Sequence, residues 1–353
     1  MNPSSSNTSR QTSTQHVRYL ITIWLKRFLR GLLTLFIILL VAGILYQAIA
    51  TEFDKRNYPP ASELVDVGGY RLYLHCIGEN IDQRPTVILE TGLGGGVSSA
   101  DWAWVQPEIA KTTRVCTYDR AGLGWSDNSP QPRDAKHIAS ELHTLFQNSQ
   151  TSGPYVLVGW SYGGLYVRAY ANQYPEETAG LVLLDSSSPE QCTSTPAWQA
   201  QCASTAKTYS FAPILARLGI MRGINLFQAP SGLPSPQNEK RLGALSATKD
   251  WDALRAEFLA SPATSAQLLN SKSLGTIPLF VVTATEHGAV PELERSWQVW
   301  QSRFTLLSTN SVQRVVPGAT HESLVLSASG TKVSIEAILQ VVEAARTGER
   351  LKP

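Results

Sequence analysis

The chain has 353 residues, 43% hydrophobic and 16% charged, with a formal net charge of +2. That is the composition of a globular protein with some excess of apolar sequence, long enough for one large α/β domain or such a domain with an insertion. So small a net charge argues against an acidic partner, nucleic acid included.

The charge is unevenly placed. Residues 1–51 hold Arg10, Arg18, Lys26, Arg27 and Arg30 and no acidic residue, which leaves 25 basic against 28 acidic residues in the remainder. Residues 1–30 are a basic tail, and its first 17 residues, rich in Ser, Thr, Asn and Gln, are expected to be disordered. Residues 31–50, GLLTLFIILLVAGILYQAIA, carry no charge. As a helix rising 1.5 Å per residue, the run would cross a hydrocarbon core about 30 Å thick. The flanking cations predict a cytoplasmic N-terminus and an exported body, so the Asn7-Thr8-Ser9 sequon is discounted. A rival reading is a signal peptide cleaved near Ala50, since Ala48-Ile49-Ala50 resembles a cleavage site. The apolar run exceeds an ordinary signal core and follows a long tail, so an uncleaved anchor is preferred.

Residues 51–61, ending in Pro59-Pro60, are expected to be a linker. Strands are then predicted at 70–76, 85–90, 114–119, 155–159, 180–185, 277–284 and 311–316. Helical spacing is read at 98–110, 132–148, 162–174, 290–307 and 331–346. Such alternation implies a mostly parallel sheet covered on both faces. Residues 186–276 break the rhythm with helix-like segments joined by Pro and Gly. They are predicted to be a helical cap inserted into a core made of residues 62–185 and 277–353.

One short segment carries chemistry. Gly159-Trp160-Ser161-Tyr162-Gly163 matches G-x-S-x-G between a strand and a helix, the setting in which a sharp turn exposes a nucleophilic serine. A serine needs a base. His321, on the glycine-containing loop GATHES after the last strand, stands where the order Ser, acid, His puts it. His287 is the weaker rival, and His75, His137 and His143 suit structural roles. Two acids obey the order. Asp185 ends the strand GLVLLD and Glu286 follows IPLFVVTAT. Asp185 is preferred because a short carboxylate at a strand end is held more rigidly, and Glu286 is the runner-up. An oxyanion would be held by the backbone amides of Tyr162 and of Leu93 in the turn Thr91 to Gly96. Trp125 and Trp160 are expected near the substrate pocket, and Trp198, Phe211 and Trp251 in the cap. No phosphate-loop or dinucleotide fingerprint is present.

The turn ETGLGGG, the segment YDRAGLGWSD, the elbow GWSYGG and the late GATHES, in that order, resemble the α/β-hydrolase superfamily over residues 62–346. DRAGxGxSD is a frequent companion of the elbow in its lid-bearing members. The resemblance implies an α/β-hydrolase sheet with a cap and a serine hydrolase using Ser161, His321 and an acid, with no cofactor and no metal. Two departures stand out: Thr91-Gly92 replaces the usual His-Gly, and Thr285-Glu286-His287 replaces the common Asp, which moves the acid to Asp185. Members with an Asp nucleophile are excluded by Ser161. The family's strand order would place Cys76 beside Cys116, and Cys192 and Cys202 would share the cap. In an oxidising compartment each pair could close a disulfide.

The expected function is therefore hydrolysis of a carboxylic ester, or an amide, through an acyl-enzyme. The substrate would be a small-molecule or lipid ester, met at the membrane through residues 31–50. Alternatives are a C–C bond hydrolase, a cofactor-free haloperoxidase or a catalytically silent membrane-tethered binding module.

Overall fold

The computed structural model of the chain describes residues 7–224, 232–288 and 290–352. Helix α1 (Asn7–Asn57) is unbroken. Its segment 18–57 is, by length and composition, the one described helix able to cross a membrane. Residues 7–17, expected to be disordered, belong to this helix, and residues 51–57, expected in the linker, form its last turns. No glycine or proline interrupts residues 44–58, so the helix runs on until Pro59-Pro60 forbids it.

Eight strands form one sheet in the order β1-β2-β4-β3-β5-β6-β7-β8. β1 (Glu63–Asp66) was not foreseen. It pairs antiparallel with β2 (Arg71–Ile77), which is antiparallel to β4 (Val115–Tyr118). β3 (Thr86–Glu90), β4, β5 (Tyr155–Trp160), β6 (Thr178–Leu184), β7 (Leu279–Glu286) and β8 (Ser311–Thr320) are parallel. The fully buried apolar runs of β3, β5 and β6 mark strands covered on both faces.

Strand parity divides the core in two. Tyr155, Leu157, Leu181, Leu183, Leu279 and Val281 face one layer. There they meet α4 (Ala135–Asn148), α5 (Gly163–Gln173) and α11 (Pro291–Phe304). Val156, Val158, Trp160, Val182, Leu184, Phe280 and Val282 face the other. That layer holds the short helices α3 (Gln106–Ile109) and α12 (Ser323–Leu326), and α13 (Thr331–Thr347), while α2 (Ser98–Asp101) packs its Ala100 into a small separate cluster with Val97 and Ala244. Side chains on a strand alternate with period two, so adjacent residues must serve opposite layers.

Between β6 and β7 come α6 (Pro196–Arg217), α7 (Ile220–Gly223), α8 (Gln237–Leu245), α9 (Thr248–Leu259) and α10 (Ser261–Leu269). Their own small core includes Ala212, Met221, Trp251 and Leu254. Cys76 and Cys116 stand opposite each other on β2 and β4 and are joined by a disulfide, and a second joins Cys192 to Cys202.

Candidate active site

The carboxyl ends of β3, β5, β6 and β8 converge, which is where open parallel sheets place their sites. Ser161, directly after β5, has φ +55°, an uncommon left-handed conformation for a non-glycine residue. Neighbours hold it there. Its N–H donates to the Leu184 carbonyl (3.1 Å), and its carbonyl accepts from Gly164 (3.1 Å) and Ser187 (2.9 Å). The flanking glycines make the turn possible. A Cβ on Gly159 would lie 2.6 Å from the Gly164 Cα, and one on Gly164 would lie 2.0 Å from Ser186 Oγ.

The turn after β3 lies against this serine. A Cβ on Gly92 would sit 2.8 Å from Ser161 Cβ and 3.4 Å from its Oγ. Leu93, Ser161 and Tyr162 line one cavity of about 190 Å³. Among the described residues, the amide nitrogens of Leu93 and Tyr162 meet no acceptor, as a pair of donors awaiting an oxyanion would.

Asp185 also has positive φ, at +44°, and is completely buried. Its Oδ1 accepts from the Ala284 amide (3.1 Å) and the Trp297 indole (2.8 Å). Its Oδ2 is 2.6 Å from His321 Nδ1 and 2.6 Å from His287 Nε2. Burial opposes its charge, but hydrogen bonds from the two imidazoles outweigh that and hold the carboxyl well below the usual carboxylate range. Glu286, the runner-up, is an exposed strand end with no bond to either imidazole.

His321 is held by its backbone too, since the Trp160 indole N–H donates to its carbonyl (3.1 Å). His321 and Ser161 line a larger cavity of about 700 Å³ together with Trp198, Leu293 and Trp297. No hydrogen bond joins the Ser161 hydroxyl to the imidazole in this arrangement, a contact that commonly tightens only with substrate.

His287, read as a rival base, instead sits between two acids. Its Nε2 meets Asp185, and its Nδ1 lies 2.9 Å from Glu294 of α11. Burial disfavours its charge, but Asp185 and Glu294 together raise its pKa above the ordinary imidazole value. A raised folded pKa contributes stability that is complete below the unfolded value and disappears as pH rises through the folded one. The stability difference between wild type and His287→Gln, from denaturant midpoints, is therefore expected to shrink as pH rises above the unfolded imidazole value of about 6.5. A difference independent of pH would refute the charged pairing. Ligand atoms of Asp185, His287 and His321 lie within 4.8 Å of one another and are a conceivable metal site. Protons shared between the imidazoles and Oδ2 account for the same geometry.

Two expectations need correction. Trp160 lines neither cavity at Ser161. Its place in the β5 alternation, in step with Val156 and Val158, turns it into the opposite core layer, with its ring 5.3 Å from that of His321. Trp125 lines a separate cavity between α1 and the cap, because its segment turns away after Gly124 toward Lys249 and Asp250. Within the cap, Trp198 reaches the site, Trp251 is cap core and Phe211 is exposed.

Sequence reasoning missed the groups that hold the turn after β3. Arg120, fully buried, donates to the carbonyls of Thr91 (2.9 Å) and Gly92 (3.1 Å). It also pairs with Glu90 (2.6 Å) and, through two nitrogens, with Glu257 of α9 (2.8 Å). Thr91, in the place of the usual histidine, donates to Asp101 (2.6 Å), which binds Arg241 of α8 (2.9 Å). The turn is thus tied to the cap twice. The partners on the cap, Glu257 and Arg241, lie more than a hundred residues away in sequence.

The alpha/beta hydrolase fold family model matches residues 85–210. An esterase from Thermogutta terrifontis superposes with a TM-score of 0.57 at 20% identity, covering 80% of this chain and 97% of its own. The chain has the α/β-hydrolase fold. Among curated proteins, this hydrolase-fold chain is 31% identical over 143 residues to an uncharacterized protein of Schizosaccharomyces pombe, covering 33% of the chain and 26% of the relative. It is 33% identical over 140 residues to 2-hydroxymuconate semialdehyde hydrolase of Pseudomonas sp., covering 37% and 45%. The matched parts span only 26%, 18% and 20% of three such relatives.

Proposed function

We propose that this hydrolase-fold protein is a serine hydrolase that cleaves carboxylic esters through an acyl-enzyme. The observation that carries the reading is Asp185 Oδ2 at 2.6 Å from His321 Nδ1, with His321 and Ser161 lining one cavity. Held at Nδ1, the imidazole keeps its Nε2 lone pair available. Ser161 Oγ attacks the carbonyl carbon as its proton passes to Nε2, and Asp185 stabilises the imidazolium. The carbonyl oxygen takes the charge between the amides of Leu93 and Tyr162. The bond to the alcohol oxygen then breaks, with His321 returning the proton to the leaving group. Water next gives a proton to His321 and attacks the acyl carbon; the bond to Ser161 Oγ then breaks, His321 returns the proton to that oxygen, and the acid is released. The sequence of steps requires no metal and no organic cofactor.

Trp198 at both cavities, stacked on Trp297 (5.9 Å) and tilted against Trp300 (5.2 Å), supports an apolar acyl or aromatic substrate group. Residues 31–50 are read as an anchor with a cytoplasmic N-terminus and an exported body, supported by their hydropathy and the flanking cations.

A fluorophosphonate probe is expected to label the wild type and not Ser161→Ala. Absence of wild-type labelling, or equal labelling of the variant, would sink the proposal. A turnover screen of p-nitrophenyl esters, anilides and lipids on the full chain would then define the acyl group.

A further inference from the structure

The cap touches α1 inside the apolar run. A Cβ on Gly43 would lie 2.3 Å from the Leu218 carbonyl oxygen, and one on Gly219 would lie 2.8 Å from that of Gly43. Two glycines therefore let the corner between α6 and α7 meet the α1 backbone directly, the close approach typical of helices packed in lipid. Gln47, a polar residue in the same run, donates to Ser246 of the cap (2.7 Å) and to Thr51 (3.2 Å).

Depth follows from helix geometry. With Arg30 at the cytoplasmic headgroups, the twelve steps from Gly31 to Gly43 rise about 18 Å, roughly 12 Å short of the far edge of a core about 30 Å thick. The corner that meets Gly43 then lies below the outer hydrocarbon boundary. Its surface suits that place. Phe211 (63% exposed), Ile214 (52%), Ile220 (38%) and Ile224 (61%) stand unpacked around it. Phe211 and Ile214 of α6 and Leu218 at its C-cap recur at helical spacing on one face. The arginines nearby are both paired: Arg222 with Asp54 (2.7 Å), past the apolar run, and Arg217 with Asp252 (2.6 Å). Long arginine stems can carry such heads back toward water.

We infer that the α6–α7 corner is immersed in the outer leaflet beside α1, so that the cap is a second membrane contact. The inference rests on residues 31–50 spanning the bilayer and commits to lipid as the occupant of this face. Helix α6 then runs from the Ser161 cavities, which its Trp198 and Gln201 line, to the leaflet, about 20 Å from Trp198 to Phe211. A substrate stored in the leaflet would be met at one end of the helix and cleaved near the other.

Among the described residues no cysteine is free, and the sequence has four, all in disulfides. An introduced cysteine is therefore the one thiol to label. The full chain carrying Ile214→Cys or Leu39→Cys is labelled with an environment-sensitive fluorophore and placed in phosphatidylcholine liposomes. Acyl-chain nitroxide lipids are expected to quench both probes, with iodide in the water quenching neither. Quenching of the Leu39 position by nitroxide but of the Ile214 position by iodide would overturn the inference and leave the anchor intact. An Ile214 probe shielded from both quenchers would assign the face to a second copy of the chain and equally overturn it. If the Leu39 probe escapes the nitroxide, the anchor reading fails and the inference with it.

Discussion

Asp185→Asn is expected to lower kcat/KM by about four orders of magnitude while the protein stays folded. The orientation of the new amide is dictated by its surroundings. The Oδ1 position receives two donors, the Ala284 amide and the Trp297 indole, so the asparagine carbonyl must occupy it. The NH₂ then faces both imidazoles from the place of Oδ2. A donor there forces His321 to accept at Nδ1 and to carry its proton on Nε2, the tautomer that cannot take a proton from Ser161. A flip of the amide would leave two donors facing an NH₂, so no rescue is available. Glu286→Gln, at an exposed position touching neither ring, is expected to stay near wild type. Kinetics of the two variants on one ester decide the matter. Near-normal turnover by Asp185→Asn with loss in Glu286→Gln would reverse the assignment of the acid.

Arg120→Met is expected to cost about 3–5 kcal/mol of stability, the usual consequence of removing one partner from a buried charge cluster. Glu90 and Glu257 would remain, both completely buried, without their cation. The carbonyls of Thr91 and Gly92 would also lose their donor. Should the methionine variant fail to accumulate, Arg120→Lys supplies the test. A single ammonium cannot reproduce the forked contacts to two carboxylates and two carbonyls, so it too should unfold at lower denaturant. Pairing Arg120→Met with Glu257→Gln should recover part of the loss. Denaturant midpoints at the wild-type value for both single variants would show that the cluster is not holding the fold.

Much of this architecture was legible because it rests on local rules. The strand and helix rhythm follows from periodicity, and the turn at Ser161 announces itself by glycines where side chains would collide. The parity of β5 even contained the fate of Trp160, since Val156, Val158 and Trp160 must share a face. What local rules could not supply is the company each charge keeps. Asp185 and Glu286 look alike in sequence, and only the packing of β6 against β7 and α11 buries one and exposes the other. The double use of the Asp185 carboxylate by His287 and His321 depends on partners 102 and 136 residues away in sequence. The pairing of Arg120 with Glu257 is of the same kind. The end of α1 was misjudged for another reason. Charged residues at 52–56 resemble a linker, but nothing in them stops a helix, and Asp54 finds a partner on the cap.

That last feature changes how the body is tethered. A flexible linker of eleven residues would give an end-to-end play of roughly 17–20 Å and free rotation about the attachment point. A helix continuous to Asn57, clasped by Ser246 and Arg222, is a stalk instead of a leash. With residues 31–50 as the proposed anchor, the body would turn with it and keep one constant side toward the surface it is planted in, so the reach of the proposed site would be set by the geometry of the protein and not by the swing of a tether.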